Sequence, residues 1–340
     1  MSKRLQCNYI NFKKKTITAN KQLDIFFIDA TIFFCAENIG KLRMHTNKKK
    51  IFLYMEAFMR FDYHMHFEYG DYDETWTEGF FIAAKSHGLE EIGISEHTHT
   101  FPEFEQLYYD DLILDDSPVG KFQKVWLKTN KFKHTLKDYF DFVARLKKNH
   151  NVKIGIEVCN FRDQDAVKKI LDAWDFDYRI GSVHFLWGWG YDASKLIDEW
   201  KNHDLKKIYD EYAAQVELLT ASGNYDILGH PFNIRLFKFF PDFDATPYLE
   251  RVAVALKKFN MAVDVNTGTL YRYPVKEISP YADFMKIAAA YDLPITINSD
   301  AHQPEDCGRF YEEAIDYVRG FGYKKILRFD KRKRELVDLT

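Results

Sequence analysis

Apolar and polar residues form regular blocks from about residue 60 to residue 323. Seven short runs rich in β-branched and other apolar residues predict strands at 60–64, 91–95, 152–158, 178–184, 226–230, 261–266 and 294–299. The longer segments between them predict helices at 75–87, 135–150, 165–174, 195–222, 247–259, 280–291 and 305–320. Strands that alternate with helices are typical of parallel βαβ units. The pattern therefore predicts an α/β fold.

Side chains able to bind a metal stand at the ends of six predicted strands. They are His64 and His66, His97, Glu157, His184, His230, and Asp300 with His302. Side chains of a strand alternate with a period of two, so the paired residues share a face. Imidazole and carboxylate groups bind Zn²⁺, Mn²⁺ and Fe²⁺. Because barrel sites lie at the C-terminal ends of parallel strands, seven such strands predict a closed barrel with a metal site there.

The remaining histidines carry a weaker signal. The chain has 12 His in all, and six of them stand in this strand-end position. A single His is most often a structural residue, so the inference depends on the whole set. His99 follows His97 closely and is ambiguous, because it also starts a long connection.

The two ends of the chain differ from the body. Residues 1–58 carry a net charge of +7 and show no sustained helix or strand period. We expect this segment to be a poorly ordered N-terminal extension or a mis-assigned start, with the working chain beginning near Met59. A genuine basic arm is the alternative. The segment 324–340 is predicted to be a short hairpin without chemistry.

Charge and cysteine content limit the partners. The formal net charge is −3 for the whole chain, so the remainder after residue 58 carries −10. An acidic body disfavours binding to long nucleic acids, whereas a small phosphorylated substrate suits a metal cluster. The apolar run 25–35 is too short for a membrane span. Four Cys without CxxC spacing fit a reduced, cytoplasmic setting. The oligomeric state stays open.

Two connections are long enough to form parts of a binding site. Residues 98–134 are rich in acidic and aromatic side chains, and 185–194 contain Trp187 and Trp189. Long loops at the active face of a barrel often act as lids or substrate walls. Packing of the loops onto the body is an equally good interpretation of their aromatic residues.

The set of motifs resembles the PHP (polymerase and histidinol phosphatase) family, in particular its monofunctional histidinol-phosphate phosphatases. The resemblance extends from about residue 59 to 321. It rests on His64-Met65-His66, Ser95-Glu96-His97, Gly155-Ile156-Glu157, Gly181-Ser182-Val183-His184-Phe185, Gly229-His230-Pro231 and Ser299-Asp300-Ala301-His302. It implies a distorted (β/α)7 barrel spanning 59–323.

The resemblance also implies two or three divalent metal ions, Zn, Mn or Fe. One ion would take His64, His66, Glu157 and Asp300, and a second Glu157, His184 and His230. A third would take His97 and His302 with a residue from the loop after His66. Many relatives have a His six residues after the second His of the first motif, where this chain has Tyr72. Asp71 is our candidate replacement, with Asp73 and Glu68 as alternatives; Glu96 is expected to orient a ligand.

The implied activity is hydrolysis of L-histidinol phosphate in histidine biosynthesis, by a metal-bridged hydroxide that attacks phosphorus. Glu157, Asp300 and His302 would be catalytic. Arg235 and Arg272 would bind the phosphate, with Arg162 a weaker candidate. A nucleotide or another small phosphate monoester is the alternative substrate. A C–N hydrolase is disfavoured because Glu157 stands where such barrels carry a Lys. A non-catalytic barrel is disfavoured because nearly all ligands are retained.

Overall fold

The computed structural model describes Leu42–Thr46, Lys49–Leu53 and residues 60–339. The first two segments are strands β1 and β2, which pair as an antiparallel hairpin. The sequence pattern did not indicate them. The prediction that 1–58 is an extension or a mis-assigned start otherwise falls outside the described residues.

The body contains twelve strands and ten α-helices among the described residues. The strands are β3 Phe61–Asp62, β4 Glu91–Ile94, β5 Val152–Ile154, β6 Glu157–Cys159, β7 Ile180–Ser182, β8 Phe185–Leu186, β9 Trp189–Gly190, β10 Ile227–Leu228, β11 Ala262–Asn266, β12 Ile295–Asn298, β13 Lys325–Asp330 and β14 Lys333–Asp338. The helices are α1 Glu74–Ser86, α2 Glu105–Asp111, α3 Pro118–Lys128, α4 Leu136–Leu146, α5 Gln164–Leu171, α6 Leu205–Ser222, α7 Thr246–Phe259, α8 Gly268–Arg272, α9 Ala282–Ala290 and α10 Tyr311–Gly320.

The parallel strands close into a ring at their C-terminal ends. β3, β4 and β5 form one sheet, and β6, β7, β10, β11 and β12 form another. A bridge between His97 and Glu157 joins the sheets on one side, and one between Met65 and Ala301 joins them on the other. The predicted strand 152–158 is divided into β5 and β6, so seven strand positions surround the axis. The barrel prediction is confirmed.

The division of that strand has a steric cause. The ring of Tyr178 lies so close to Gly155 that an added Cβ would stand 2.2 Å from its Cζ atom. The hydroxyl of Tyr139 donates to the carbonyl oxygens of Ile94 and Gly155, at 2.8 and 2.9 Å. These aromatic side chains occupy the space between the strands, and the ladder resumes at Glu157. Glu157 thereby lies next to His97.

Helix boundaries follow local capping. The side chain of Asp73 accepts from the amide of Trp76 and begins α1, and Thr135 and Asp138 form a capping box at α4. The predicted helix 195–222 is two elements, a 3₁₀ helix Ser194–Asn202 and α6, because Asp204 caps a new start. In place of extended loops, the chain forms α2 and α3 within 98–134 and the β8–β9 hairpin after β7.

The core lies inside the ring and between the ring and its helices. All five residues of β11 are buried, as expected for a strand covered on both faces. β13 and β14 form an antiparallel hairpin near the C-terminus, and Phe329 from it packs fully buried near Tyr63. Each helix in the described part of the chain is too short or too polar to cross a bilayer.

Candidate metal centre

The ligand candidates converge at the C-terminal end of the barrel. Each comes from a strand end or from the residues just after it, where β3, β4, β6, β7, β10 and β12 meet. Ligand atoms within 4.8 Å of one another form several sets of three, among them His64–His66–Glu157, Glu157–His184–His230, His64–His230–Asp300 and His66–His97–His302. The structure thus brings together eight of the nine predicted ligands; Asp71 lies elsewhere.

Glu157 occupies the middle of the cluster and is almost completely buried. Its two carboxylate oxygens face different groups of imidazoles. Oε1 lies 2.9, 3.3 and 3.4 Å from the Nε2 atoms of His230, His64 and His184. Oε2 lies 3.2 and 3.6 Å from the Nε2 atoms of His97 and His66. One carboxylate therefore lies between two groups of imidazoles that could hold cations.

Asp300 and His302 complete the cluster on the side of Arg272. Asp300 Oδ1 lies 3.4 Å from His66 Nε2 and 3.8 Å from His64 Nε2. Its other oxygen lies 3.0 Å from Arg272 Nη1, and Arg272 Nη2 lies 3.2 Å from His302 Nε2. The guanidinium group is therefore adjacent to the cluster.

The donor atoms fit divalent cations. Nε2 of His64 and both ring nitrogens of His66 are buried, and within the described residues they have no hydrogen-bond partner. Leaving such atoms unpaired is costly. Ligands at about 2.0–2.1 Å from a tetrahedral zinc ion stand about 3.3 Å apart, and the central separations here run from 2.9 to 3.8 Å. Imidazole nitrogens with carboxylate oxygens suit Zn²⁺, Mn²⁺ and Fe²⁺.

Asp264 orients the first histidine of the cluster. This side chain is fully buried within β11. Its Oδ2 atom lies 3.0 Å from His64 Nδ1 and accepts the amide of His230 at 3.0 Å, and its Oδ1 accepts from Asn298 Nδ2 at 2.6 Å. The contact directs His64 Nε2 toward Glu157. Sequence reasoning gave Asp264 no role, although a carboxylate between Val263 and Val265 in an apolar strand was the available signal.

Cys159 and Ser182 support the ligands from behind. Ser182 donates to Glu157 Oε1 at 2.6 Å. Cys159 Sγ lies 3.2 Å from His184 Nδ1 and 3.3 Å from the Tyr108 hydroxyl. A contact on the outer ring nitrogen fixes the imidazole with its other nitrogen toward the centre. Tyr108 comes from the connection 98–134, so that connection reaches the site from behind the ligands.

The charges of the cluster follow from burial and mutual attraction. Burial lowers the pKa of His66 to about 4 and that of His97 to about 3. Burial opposes ionisation of Glu157, yet His64, His184 and His97 hold the pKa of that carboxyl well below its usual range. In Asp300, Arg272 and His64 likewise overcome burial and lower the pKa. Glu157 and Asp300 therefore present ionised oxygens, and His66 and His97 present neutral imidazoles, the forms that bind cations.

Two histidines behave in the opposite way. Burial disfavours their charged forms, but the carboxylates Glu157 and Asp300 raise the pKa of His64 well above its usual value. Cys159 and Glu157 do the same for His184. A cation entering the centre has to displace protons from these two rings.

The loop after His66 places Glu68, rather than Asp71, against the cluster. Glu68 Oε1 lies 2.5 Å from His97 Nδ1 and 3.7 Å from His66 Nδ1. The Asp71 side chain is 58% exposed and pairs with Lys133 and His134. The choice of Asp71 as a ligand therefore has to be corrected, because a left-handed turn at this residue (φ 54°) directs it outward.

The other acidic candidates also have local roles. Asp73 is used as the N-cap of α1. Glu96 accepts the amides of Phe67 at 2.9 Å and Glu68 at 3.2 Å, so it holds the loop that carries Glu68. This placement agrees with an orienting role for Glu96.

The three arginines proposed for phosphate binding lie in different places. Arg272 lines the cleft above the cluster. Arg235 turns away from it: its Nε donates to the Tyr209 hydroxyl at 2.6 Å and its Nη1 lies 2.9 Å from Asp283. The 3₁₀ helix Asn233–Arg235 buries this side chain between α6 and α9, so its expected contact with phosphate is corrected.

Arg162 is also remote from the ligands. It pairs with Asp111 at 2.6 Å and is largely exposed. Arg272 is thus the one arginine of the three that the structure places at the cluster.

Comparison with known proteins agrees with this geometry. The model of the family described as "PHP domain" matches residues 62–268, more than half of the chain. A Deinococcus radiodurans protein named "Probable histidinol-phosphatase" is 34% identical over 198 residues, which cover 57% of this chain and 72% of the relative. A "Histidinol-phosphatase" of Lactococcus lactis is 24% identical over 307 residues, covering 82% of this chain and 98% of the relative.

A solved structure shares the fold. It is the histidinol phosphate phosphatase of Lactococcus lactis, which was crystallised with zinc, L-histidinol and phosphate. It superposes with a TM-score of 0.62 at 22% identity, over 81% of this chain and 98% of that one. The family predicted from the six motifs is confirmed: the chain belongs to the PHP family.

Proposed function

We propose that this protein is a metal-dependent phosphomonoesterase that hydrolyses L-histidinol phosphate to L-histidinol and phosphate. The observation that carries the proposal is the convergence of five imidazoles around the Glu157 carboxylate, with His302 and Arg272 at the edge of the cluster. The choice of L-histidinol phosphate as the substrate is supported by the relatives. They are named histidinol-phosphatases, and the match covers 72% and 98% of their own lengths.

The cluster offers ligands for two or three cations. His64, His66, Glu157 and Asp300 would hold one cation, and Glu157 with His184 and His230 a second. His97 and His302 would hold a third, with Glu68 in place of Asp71 beside them. When bound, divalent cations of this kind neutralise phosphoryl oxygens and make water a better nucleophile near neutral pH.

The surrounding residues position the ester. Arg272 presents two guanidinium nitrogens at the edge of the cleft, a geometry that suits phosphate oxygens. Asp300 is ionised and lies beside Arg272 at the cluster. Its carboxylate would accept the proton of the attacking water, because a bound cation makes that water more acidic. The attack forms a P–O bond to the water oxygen and breaks the ester P–O bond. The proton that Asp300 takes from the water passes to the departing ester oxygen, so the products are phosphate and the alcohol.

The test is phosphate release by metal-loaded protein from a panel of monoesters. We expect kcat/KM to be highest for L-histidinol phosphate, above nucleoside monophosphates and sugar phosphates. Treatment with a chelator should abolish turnover, and addition of Zn²⁺ or Mn²⁺ should restore it. Faster hydrolysis of a nucleotide than of L-histidinol phosphate would overturn the proposed substrate. Full activity in protein shown to be free of metal would overturn the proposed chemistry.

A further inference from the structure

The cleft above the cluster contains one carboxylate that no described side chain contacts through a hydrogen bond or an ion pair. The empty volume of the cleft, including the part open to solvent, is about 390 Å³. Three acidic residues line it. Glu157 lies among imidazoles and Asp300 pairs with Arg272. The third is Asp192, and no side chain in the described part of the protein forms a hydrogen bond or ion pair with it.

Asp192 is held in place by its neighbour. Tyr191 is fully buried, and its hydroxyl donates to the carbonyl of Val183 and contacts the amide side chain of Asn233. Trp200 Nε1 donates to the Tyr191 carbonyl at 3.0 Å. These contacts fix the backbone directly before Asp192. The carboxylate is therefore presented to the cleft by a rigid segment, which is how a recognition group is usually mounted.

The charge at this position does not suit the phosphoryl group. A phosphate needs positive neighbours, which the cation ligands and Arg272 provide, and a carboxylate beside it would repel it. Burial raises the pKa of Asp192, and the nearby His184 and His230 oppose this rise. Asp192 is half-buried, and among the described residues no side chain forms a hydrogen bond or an ion pair with its carboxylate. A carboxylate that is partly withdrawn from water is costly unless it is paired. The group that would pair with Asp192 is therefore a positively charged group of the substrate.

We infer that Asp192 binds the ammonium group of the substrate and makes the enzyme selective for amino-alcohol phosphates over plain phosphate esters. The inference rests on the proposed function and adds a specificity-determining residue to it. L-Histidinol phosphate carries such an ammonium group near its ester, and a nucleotide or a sugar phosphate does not. The same contact would also retain the product amine, L-histidinol.

The experiment compares two substrates in metal-loaded wild-type protein and in Asp192→Asn. One substrate is L-histidinol phosphate, and the other is its des-amino analogue, in which hydrogen replaces the α-amino group. We expect Asp192→Asn to raise KM for L-histidinol phosphate about 10- to 100-fold and to leave the analogue unchanged, because a charged hydrogen bond is lost only with the amine. Asp242→Asn, an exposed change of the same kind, is the matched control.

Binding of L-histidinol, measured by calorimetry on the same metal-loaded proteins, gives a readout without turnover. We expect it to weaken in Asp192→Asn by a similar factor. An equal loss for both substrates, or no loss for either, would overturn the assignment of Asp192. If the wild-type protein hydrolyses the analogue but not L-histidinol phosphate, the proposed substrate fails instead. Circular dichroism establishes that the variant is folded.

Discussion

Replacing Glu157 by Gln tests the central feature of the site, a single carboxylate that serves two groups of histidines. The substitution keeps the shape but removes the charge, and it presents an NH₂ group to one of the two groups. Oε1 faces three imidazoles at 2.9–3.4 Å and Oε2 faces two at 3.2–3.6 Å, so both prospective cations lose a ligand charge. Breaking a buried charge pair costs about 3–5 kcal/mol, which corresponds to about 100- to 4,000-fold in affinity for each cation.

The measurement is metal content after dialysis, by mass spectrometry, together with phosphate release. We expect Glu157→Gln to retain at least one cation fewer per chain than the wild-type protein and to lose about 1,000-fold or more in kcat/KM. Glu250→Gln, an exposed change on α7, is the control and should behave as the wild type. A folded Glu157→Gln protein with the full complement of cations and normal turnover would refute the bridging arrangement.

Four further predictions follow from the contacts around the cluster. Arg272→Gln should raise KM for phosphate esters about 10- to 100-fold while metal content is kept, which kinetics with metal analysis will show. Arg235→Leu should lower the free energy of unfolding by about 1–3 kcal/mol in thermal or urea melts and leave KM unchanged, because that residue is buried away from the cleft. Cys159→Ala should weaken cation binding about 10-fold or more in titration calorimetry, because His184 loses its outer contact. Cation affinity should increase with pH until the pH exceeds the raised pKa values of His64 and His184, and protons should be released on binding. Titration calorimetry at several pH values measures both, and an affinity that does not depend on pH would contradict this prediction.

The barrel and most of the residues of the cluster could be predicted from the sequence, and the reason is physical. Strand ends of a parallel barrel converge on one rim, so ligand residues at successive strand ends must meet once the strands are recognised. The short separation between His64 and His66, or between Asp300 and His302, also fixes which side chains share a face. Neither inference depends on how distant segments pack.

The loop residues could not be predicted in this way. Glu68, Asp71 and Asp73 are all acidic and all lie within seven residues of His66. Which of them reaches the cluster depends on a 3₁₀ turn at Glu68–Gly70, a left-handed residue at Asp71 and the start of α1 after Asp73. The prediction that Arg235 binds phosphate was wrong for a related reason. The orientation of its side chain is set by contacts with Tyr209 and Asp283, on two helices that are distant in sequence.

The closure of the barrel and the metal centre use the same residues. The seam between the first and last barrel strands is made by the amide of His66, which donates to Ala301 at 2.9 Å, and by the amide of Ala301, which donates to His64 at 3.2 Å. The side chains of the residues on either side of that seam are the proposed ligands His64, His66, Asp300 and His302. A cation held by His64, His66 and Asp300 would therefore link strands more than 230 positions apart in the chain. Only two residues of β3 pair with β4 in the described ladder, so few backbone hydrogen bonds hold β3 in the barrel. A cation bound at this seam would therefore stabilise the closed barrel.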